Sequence, residues 1–241
     1  MTDRELTLTL RYARRGSLTQ QMGNHRQDRE ILLLMEHFGV PTEIIEHGKC
    51  VASLALKIAT RMKQTGIPVC DAVVAQGAML HDVGFLRCKG KHHTVRVGTG
   101  GEFSFPQDVL VHPVHGYILC QEWGISEAVS RIALRHDILA ITSKERRELG
   151  ILPSSPIDIL PHTWEEKAVL CADASLFLSS FGDALWHEPD CAARGLLDIL
   201  QLSLVPYVAK PIQITHPILQ RANGLLSSLI EYVQPDWLVE G

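Results

Sequence analysis

No run of eighteen apolar residues occurs in this chain. Its most apolar stretch, Ala168 to Trp186, is broken by Asp173 and Asp183, so no membrane span is expected. Positive charge is not in excess either: Lys and Arg total 23 against 27 Asp and Glu, a net charge of −4. A protein built mainly to hold nucleic acid would usually be basic, so no stable nucleic-acid complex is expected. The 6 cysteines, at 50, 70, 88, 120, 171 and 191, form no C-x-x-C pair. That argues against a disulfide scaffold and a cysteine-ligated zinc site, and it suits a reducing, cytoplasmic setting in which free cysteines act as small hydrophobes. The first residues lack the charged start, apolar core and small-residue cleavage site of a secretory signal. Internal repeats and low-complexity tracts are missing as well. Histidine, by contrast, is plentiful, with 12 residues.

Nearly every patterned segment has the helical period, which predicts an all-α fold of ordinary globular size. Residues 1–27 read as an arm. Helices are expected over 28–38, stopped by Gly39 and Pro41; over 42–64, closed by Gly66 and Pro68; and over 70–82. Residues 87–111 lose the period and read as a long loop or short hairpin, a length that is often functional. Helices resume at 113–123 and 126–137. Gly150 to Pro156 is irregular, and Thr163-x-x-Glu166 is a capping box opening a helix through about Ser179. Two further helices are expected near 191–208 and 217–233. The division is an arm and leading helix over 1–40, a core over 41–180, and C-terminal helices over 181–241 that pack on it.

Several apolar stripes carry polar groups. His47 shares a face with Val51, Leu54, Ile58 and Met62. His81 shares one with Val74 and Ala78, with Asp82 beside it, and His136 follows Val129, Ile132 and Ala133. Asp173 sits among Val169, Leu170, Leu176 and Phe177. An ionised carboxylate in a core costs several kcal/mol without a partner. One such group is ordinarily satisfied by a local hydrogen bond. Three histidines and two aspartates on inward stripes are satisfied together by one metal centre.

The order His47, then His81-Asp82, then Asp173 resembles the H…HD…D signature of the HD-domain superfamily of metal-dependent phosphohydrolases. LHDVG is similar to that family's HD-x-G turn, HPVHGYIL (112–119) to its H-x-x-x-G segment, and ALRHDIL to the segment supplying a later histidine. TWEEKAVLCADASL resembles the segment ending in the family's second aspartate. The match spans roughly 41–180 and is most similar to small, poorly characterised HDIG-type hydrolases of archaea and bacteria. A second dipeptide, His136-Asp137, competes for the HD role but lacks equally well-placed partners.

The resemblance implies an HD-type helical bundle and a metal set of His47, His81, Asp82, His112, His136 and Asp173. It also implies divalent ions, two in number, drawn from Fe, Mn, Zn, Ni, Co or Mg. Asp82 would bridge them, with His81 and Asp82 catalytic. By the family pattern the ligand stands four residues before Gly116, at His112, with Pro113 suited to the first helical position. His115 is the alternative ligand, or else points toward substrate as a third catalytic group. Arg87, Lys89, Lys91 and Arg96 are candidates to hold a substrate phosphate.

The expected activity is therefore hydrolysis of a phosphoester or phosphoanhydride bond in a nucleotide or small phosphorylated metabolite, with a homodimer allowed. A nucleotide-sensing module without turnover is the alternative, and a purely structural metal protein comes third. Three departures narrow the substrate. Phe85 stands where many relatives carry lysine. The paired histidine and G-Y-P segment of cyclic-dinucleotide phosphodiesterases is missing, as is the Glu-Asp pair of alarmone hydrolases. Weaker features are His92-His93, the glycines of VGTGGEF, Glu43, and an Arg146-Arg147 pair expected at the surface.

Overall fold

The computed structural model describes residues 25–88, 92–97, 101–106, 109–137, 139–149, 158–179 and 217–233. The described elements are α1 (His25–His37), α2 (Thr42–Gln64), α3 (Asp71–Leu80), a 3-10 turn (Val83–Arg87), β1 (His92–Val97) and β2 (Gly101–Pro106). A second 3-10 turn (Val109–Val111) leads into α4 (His112–Glu122), α5 (Glu127–Arg135), α6 (Ser143–Leu149), α7 (Trp164–Ser179) and α8 (Pro217–Leu229), closed by a last turn (Ile230–Tyr232). The fold is all-α, as expected. Its one extended feature among the described residues is the antiparallel hairpin β1–β2, in which Val95 faces Phe103 and Arg96 faces Glu102. No helix among the described residues is long and apolar enough to cross a membrane.

In α2, Ile45, Gly48, Val51, Ala52, Leu54, Ala55, Ile58, Ala59 and Met62 are buried, at the three-and-four spacing of a core-facing stripe. The helix stops where Gly66 turns left-handed at φ 87°. There the amides of Gly66 and Ile67 reach back to the carbonyls of Lys63 and Met62, each at 3.0 Å, so the last carbonyls are satisfied. The short, apolar α3 is the centre of the bundle, packed against α2, α5 and α7. Two glycines allow that closeness. A Cβ at Gly48 would lie 2.8 Å from the Met79 carbonyl oxygen, and one at Gly77 would lie 2.2 Å from Ile132 Cδ1.

The capping box forms as expected. Glu166 accepts from the Thr163 amide at 3.1 Å, and Thr163 Oγ1 accepts from the Glu166 amide at 3.2 Å. Glu166 also accepts from Arg135 Nη1 at 2.8 Å, a buried ion pair joining the end of α5 to the start of α7. Thr163→Ala removes one cap bond and leaves that ion pair in place. It should cost about 1 kcal/mol in urea unfolding, the usual worth of such a cap.

Some expectations need correcting. The third helix ends at Leu80 and α5 at Arg135, leaving His81 and His136 at their C-caps rather than inside them. Helix α6 was not anticipated, although Thr142-Ser-Lys-Glu145 is a second capping box, with Thr142 and Glu145 exchanging bonds of 2.8 and 3.2 Å. Arg146, expected at the surface, is fully buried because its Nη2 donates to the Leu110 carbonyl at 2.7 Å. Cys120 and Cys171 are buried as small hydrophobes, but Cys50 and Cys70 are exposed. Toward the C-terminus, Arg221 of α8 binds Glu145 at 2.7 Å and the Ala140 carbonyl at 3.1 Å. The helix expected near 191–208 and residues 1–24 of the arm expected over 1–27 lie outside the described residues, while 25–27 belong to α1 rather than to an arm.

Candidate metal centre

Two helices end in the same five residues but for two: Ala78-Met-Leu-His81-Asp82 closes α3 and Ala133-Leu-Arg-His136-Asp137 closes α5. A helix end leaves carbonyls without amide partners. Here each histidine uses one: His81 Nδ1–H donates to the Ala78 carbonyl at 2.6 Å, and His136 Nδ1–H donates to the Ala133 carbonyl at 2.9 Å. With Nδ1 so engaged, each ring turns Nε2 inward. The two aspartates then diverge. Asp137 folds back to accept from the Leu139 amide at 2.9 Å, a local turn, while Asp82 points into the bundle.

Asp82 lies at the middle of the cluster. Its Oδ2 is 3.5 Å from His47 Nε2 and 3.3 Å from His81 Nε2. Its Oδ1 is 3.3 Å from both His112 Nε2 and His136 Nε2. Asp173 adds an oxygen 3.1 Å from His47 Nε2 and 3.6 Å from His81 Nε2. The set falls into two candidate half-sites, His47, His81, Asp173 and Asp82 Oδ2 on one side and His112, His136 and Asp82 Oδ1 on the other, and the triad His81, His136 and Asp173 joins them. Three overlapping triads of this set have all their ligand atoms within 4.8 Å of one another. His115 belongs to none of them. His81 is wholly buried, whereas the His47 side chain is 37% exposed, so the cluster meets solvent at His47 on α2.

The electrostatics call for positive charge. Burial raises the Asp82 pKa, but the His81 charge and hydrogen bonds from His112 and His136 hold it well below the usual carboxylate range. Burial likewise works against Asp173, and a hydrogen bond from His47 with the charge of His81 keeps it low. Burial lowers His81, yet the Asp82 and Asp173 carboxylates outweigh it and raise its pKa well above the ordinary histidine value. His136 goes the other way, lowered chiefly by burial.

Two observations fit a cation better than protons alone. The buried His81 Nε2 makes no hydrogen bond of acceptable geometry. His112 Nε2 and His136 Nε2 stand only 2.8 Å apart, both facing Asp82. The donors are imidazole and carboxylate, a set suited to Mn, Fe, Co, Ni or Zn. Among the described residues no cysteine belongs to the cluster.

Of the proposed phosphate-holding residues, Arg87 is the one whose side chain is described. It pairs with Glu122 at the exposed end of α4. Lys89 and Lys91 lie outside the described residues, and Arg96 is placed only by its strand register. Gly84, the glycine of the HD-x-G turn, has a packing role that the motif did not report. A Cβ there would lie 1.9 Å from the His112 carbonyl oxygen and 2.6 Å from the Gly116 amide nitrogen, so its absence lets the Asp82 turn abut the start of α4.

No family model matches the chain, and no solved structure matches it. An uncharacterised protein of Methanocaldococcus jannaschii is 33% identical over 134 residues, covering 56% of this chain and 66% of that protein. A tRNA (cytidine(56)-2′-O)-methyltransferase of Picrophilus torridus is 29% identical over 145 residues, 60% of this chain and 34% of the enzyme. The enzyme of the same name from Thermoplasma volcanium is 29% identical over 140 residues, 58% of this chain and 33% of its own length. The chain thus spans about a third of the length of these two methyltransferases.

These relatives correct three expectations. Their named activity is methyl transfer to tRNA, which overturns the assignment as an HD-type phosphohydrolase and its nucleotide-sensing alternative. Because their substrate is tRNA, the expectation that no stable nucleic-acid complex forms is overturned too. The physical reason is that a histidine–carboxylate set specifies a cation, whereas the reaction depends on what else reaches it.

Proposed function

We propose that this chain is a cytoplasmic, divalent-metal-binding helical module that engages tRNA, in the 2′-O-methylation setting of its named relatives. The H…HD…D pattern is, on this reading, an HD-type pocket for two divalent ions. What supports it is the convergence of His47, His81, Asp82, His112, His136 and Asp173 around a buried imidazole nitrogen without a hydrogen bond. Asp82 offers one oxygen to each half-site, and His81 and His136 are aimed by their own helix ends. A bound divalent cation would supply Lewis acidity and local positive charge toward phosphate and ribose oxygens. The chain's net charge of −4 cannot supply that attraction in bulk. Half-exposed His47 marks the side from which a polynucleotide would approach.

The test is metal content by elemental analysis after reconstitution, followed by tRNA gel shifts with Mn²⁺ and with chelator. A methyl-transfer assay on tRNA runs beside them. Expected are two metals per chain and a tRNA complex that chelator weakens at least tenfold. Reconstituted protein without metal would remove the pocket assignment. Absent or chelator-independent tRNA binding would remove the role given to the metal in binding RNA.

A further inference from the structure

We propose that Phe85 is a positioning residue for the second half-site: its ring holds the His112 imidazole in the plane that aims Nε2 at Asp82 and His136. This rests on the metal reading above. His81 and His136 are fixed by hydrogen bonds to carbonyls three residues earlier. His112, the first residue of α4, also lies against an aromatic ring. The Phe85 ring lies parallel to its imidazole, with centroids 4.3 Å apart and planes 6° from each other. The last torsion of histidine is broad and nearly two-fold, and a flat ring stacked on the imidazole narrows it. In the stacked orientation His112 Nε2 lies 3.3 Å from Asp82 Oδ1 and 2.8 Å from His136 Nε2.

The local sequence separates this role from ordinary packing. In Gly84-Phe85-Leu86, Gly84 brings the backbone against the His112 carbonyl, and Leu86 packs on the apolar core. Phe85, only partly buried, faces the histidine ring between them. A flat ring is what that place uses. An aliphatic side chain of similar volume would fill the space without fixing the plane of the imidazole.

The experiment compares Phe85→Leu, Phe85→Ala and Phe85→Tyr with the parent chain by calorimetric Mn²⁺ titration. It also records the imidazole proton signals of His112 in metal-free protein, assigned by their loss in His112→Asn. Leu and Ala should weaken the second Mn²⁺ by about 10-fold, the low end for groups that orient metal ligands, and leave the first unchanged. Tyr should restore parental affinity. The His112 signals should be shifted by the neighbouring ring in the parent and Tyr forms, and should lose that shift in Leu and Ala. A Leu variant matching the parent in both measurements overturns the proposal. If the parent binds no Mn²⁺, the metal reading fails and the positioning role with it, while the His112 signals still decide whether the stack exists.

Discussion

Asp82→Ala should abolish metal binding in both halves of the centre, a larger effect than any other single ligand change. The reason is its two-sided placement: Oδ2 serves the His47 and His81 side, and Oδ1 serves His112 and His136. Loss of an outer group typically costs 10–100-fold in affinity, and loss of a shared carboxylate should exceed about 100-fold for both ions. Asp173→Ala is the natural comparison. Its oxygen contacts only His47 and His81, so it should weaken one ion and spare the other. Thermal unfolding gives an independent readout. A ligand at a hundredfold excess over its Kd stabilises by roughly 2.7 kcal/mol per site. Parent protein should gain that increment on metal addition, and Asp82→Ala should gain none. Equal metal content in Asp82→Ala and parent would mean the aspartate does not bridge.

The sequence revealed the helices wherever a stripe and a stop coincided. Helix α2 was legible because nine buried positions repeat at helical spacing and Gly66 closes it. Helix α6 was not, because SKERREL has no apolar stripe; it is set by the Thr142–Glu145 cap and by Arg146 reaching inward to Leu110. The candidate ligands were visible as polar residues on apolar faces. Their aim was not, although the repeated A-x-x-H-D at two helix ends was the available signal: the same i−3 carbonyl orients both histidines. Phe85 against His112 is a contact between a turn and a helix start separated by the hairpin, and no local pattern reports it. The chemistry was the least legible part. The donor set reads as a cation pocket, while tRNA entered only through relatives of which this chain spans a third.

Gly84→Ala should be the most destabilising conservative substitution near the site. The added methyl would lie 1.9 Å from the His112 carbonyl oxygen, 2.6 Å from the Gly116 nitrogen and 2.8 Å from the His112 carbonyl carbon. All three are backbone atoms, so no side-chain rotation relieves the overlap. The Val83–Arg87 turn and the start of α4 must separate, and overpacking of this kind commonly costs about 1–3 kcal/mol and occasionally more. With main chain on every contact, a cost of at least about 3 kcal/mol in urea unfolding is expected. Separation also carries His112 away from Asp82, so any folded Gly84→Ala protein should lose the second metal and keep the first. Gly116→Ala is the control, because its Cβ would meet nothing nearer than Ala133 Cβ at 3.3 Å and the Gly84 nitrogen at 3.5 Å. It lies within α4, where alanine is the better helix former by about 1 kcal/mol, so its net effect should be close to zero. If Gly84→Ala is as stable as Gly116→Ala and still binds two metals, the close approach of the Asp82 turn to α4 is not what places His112.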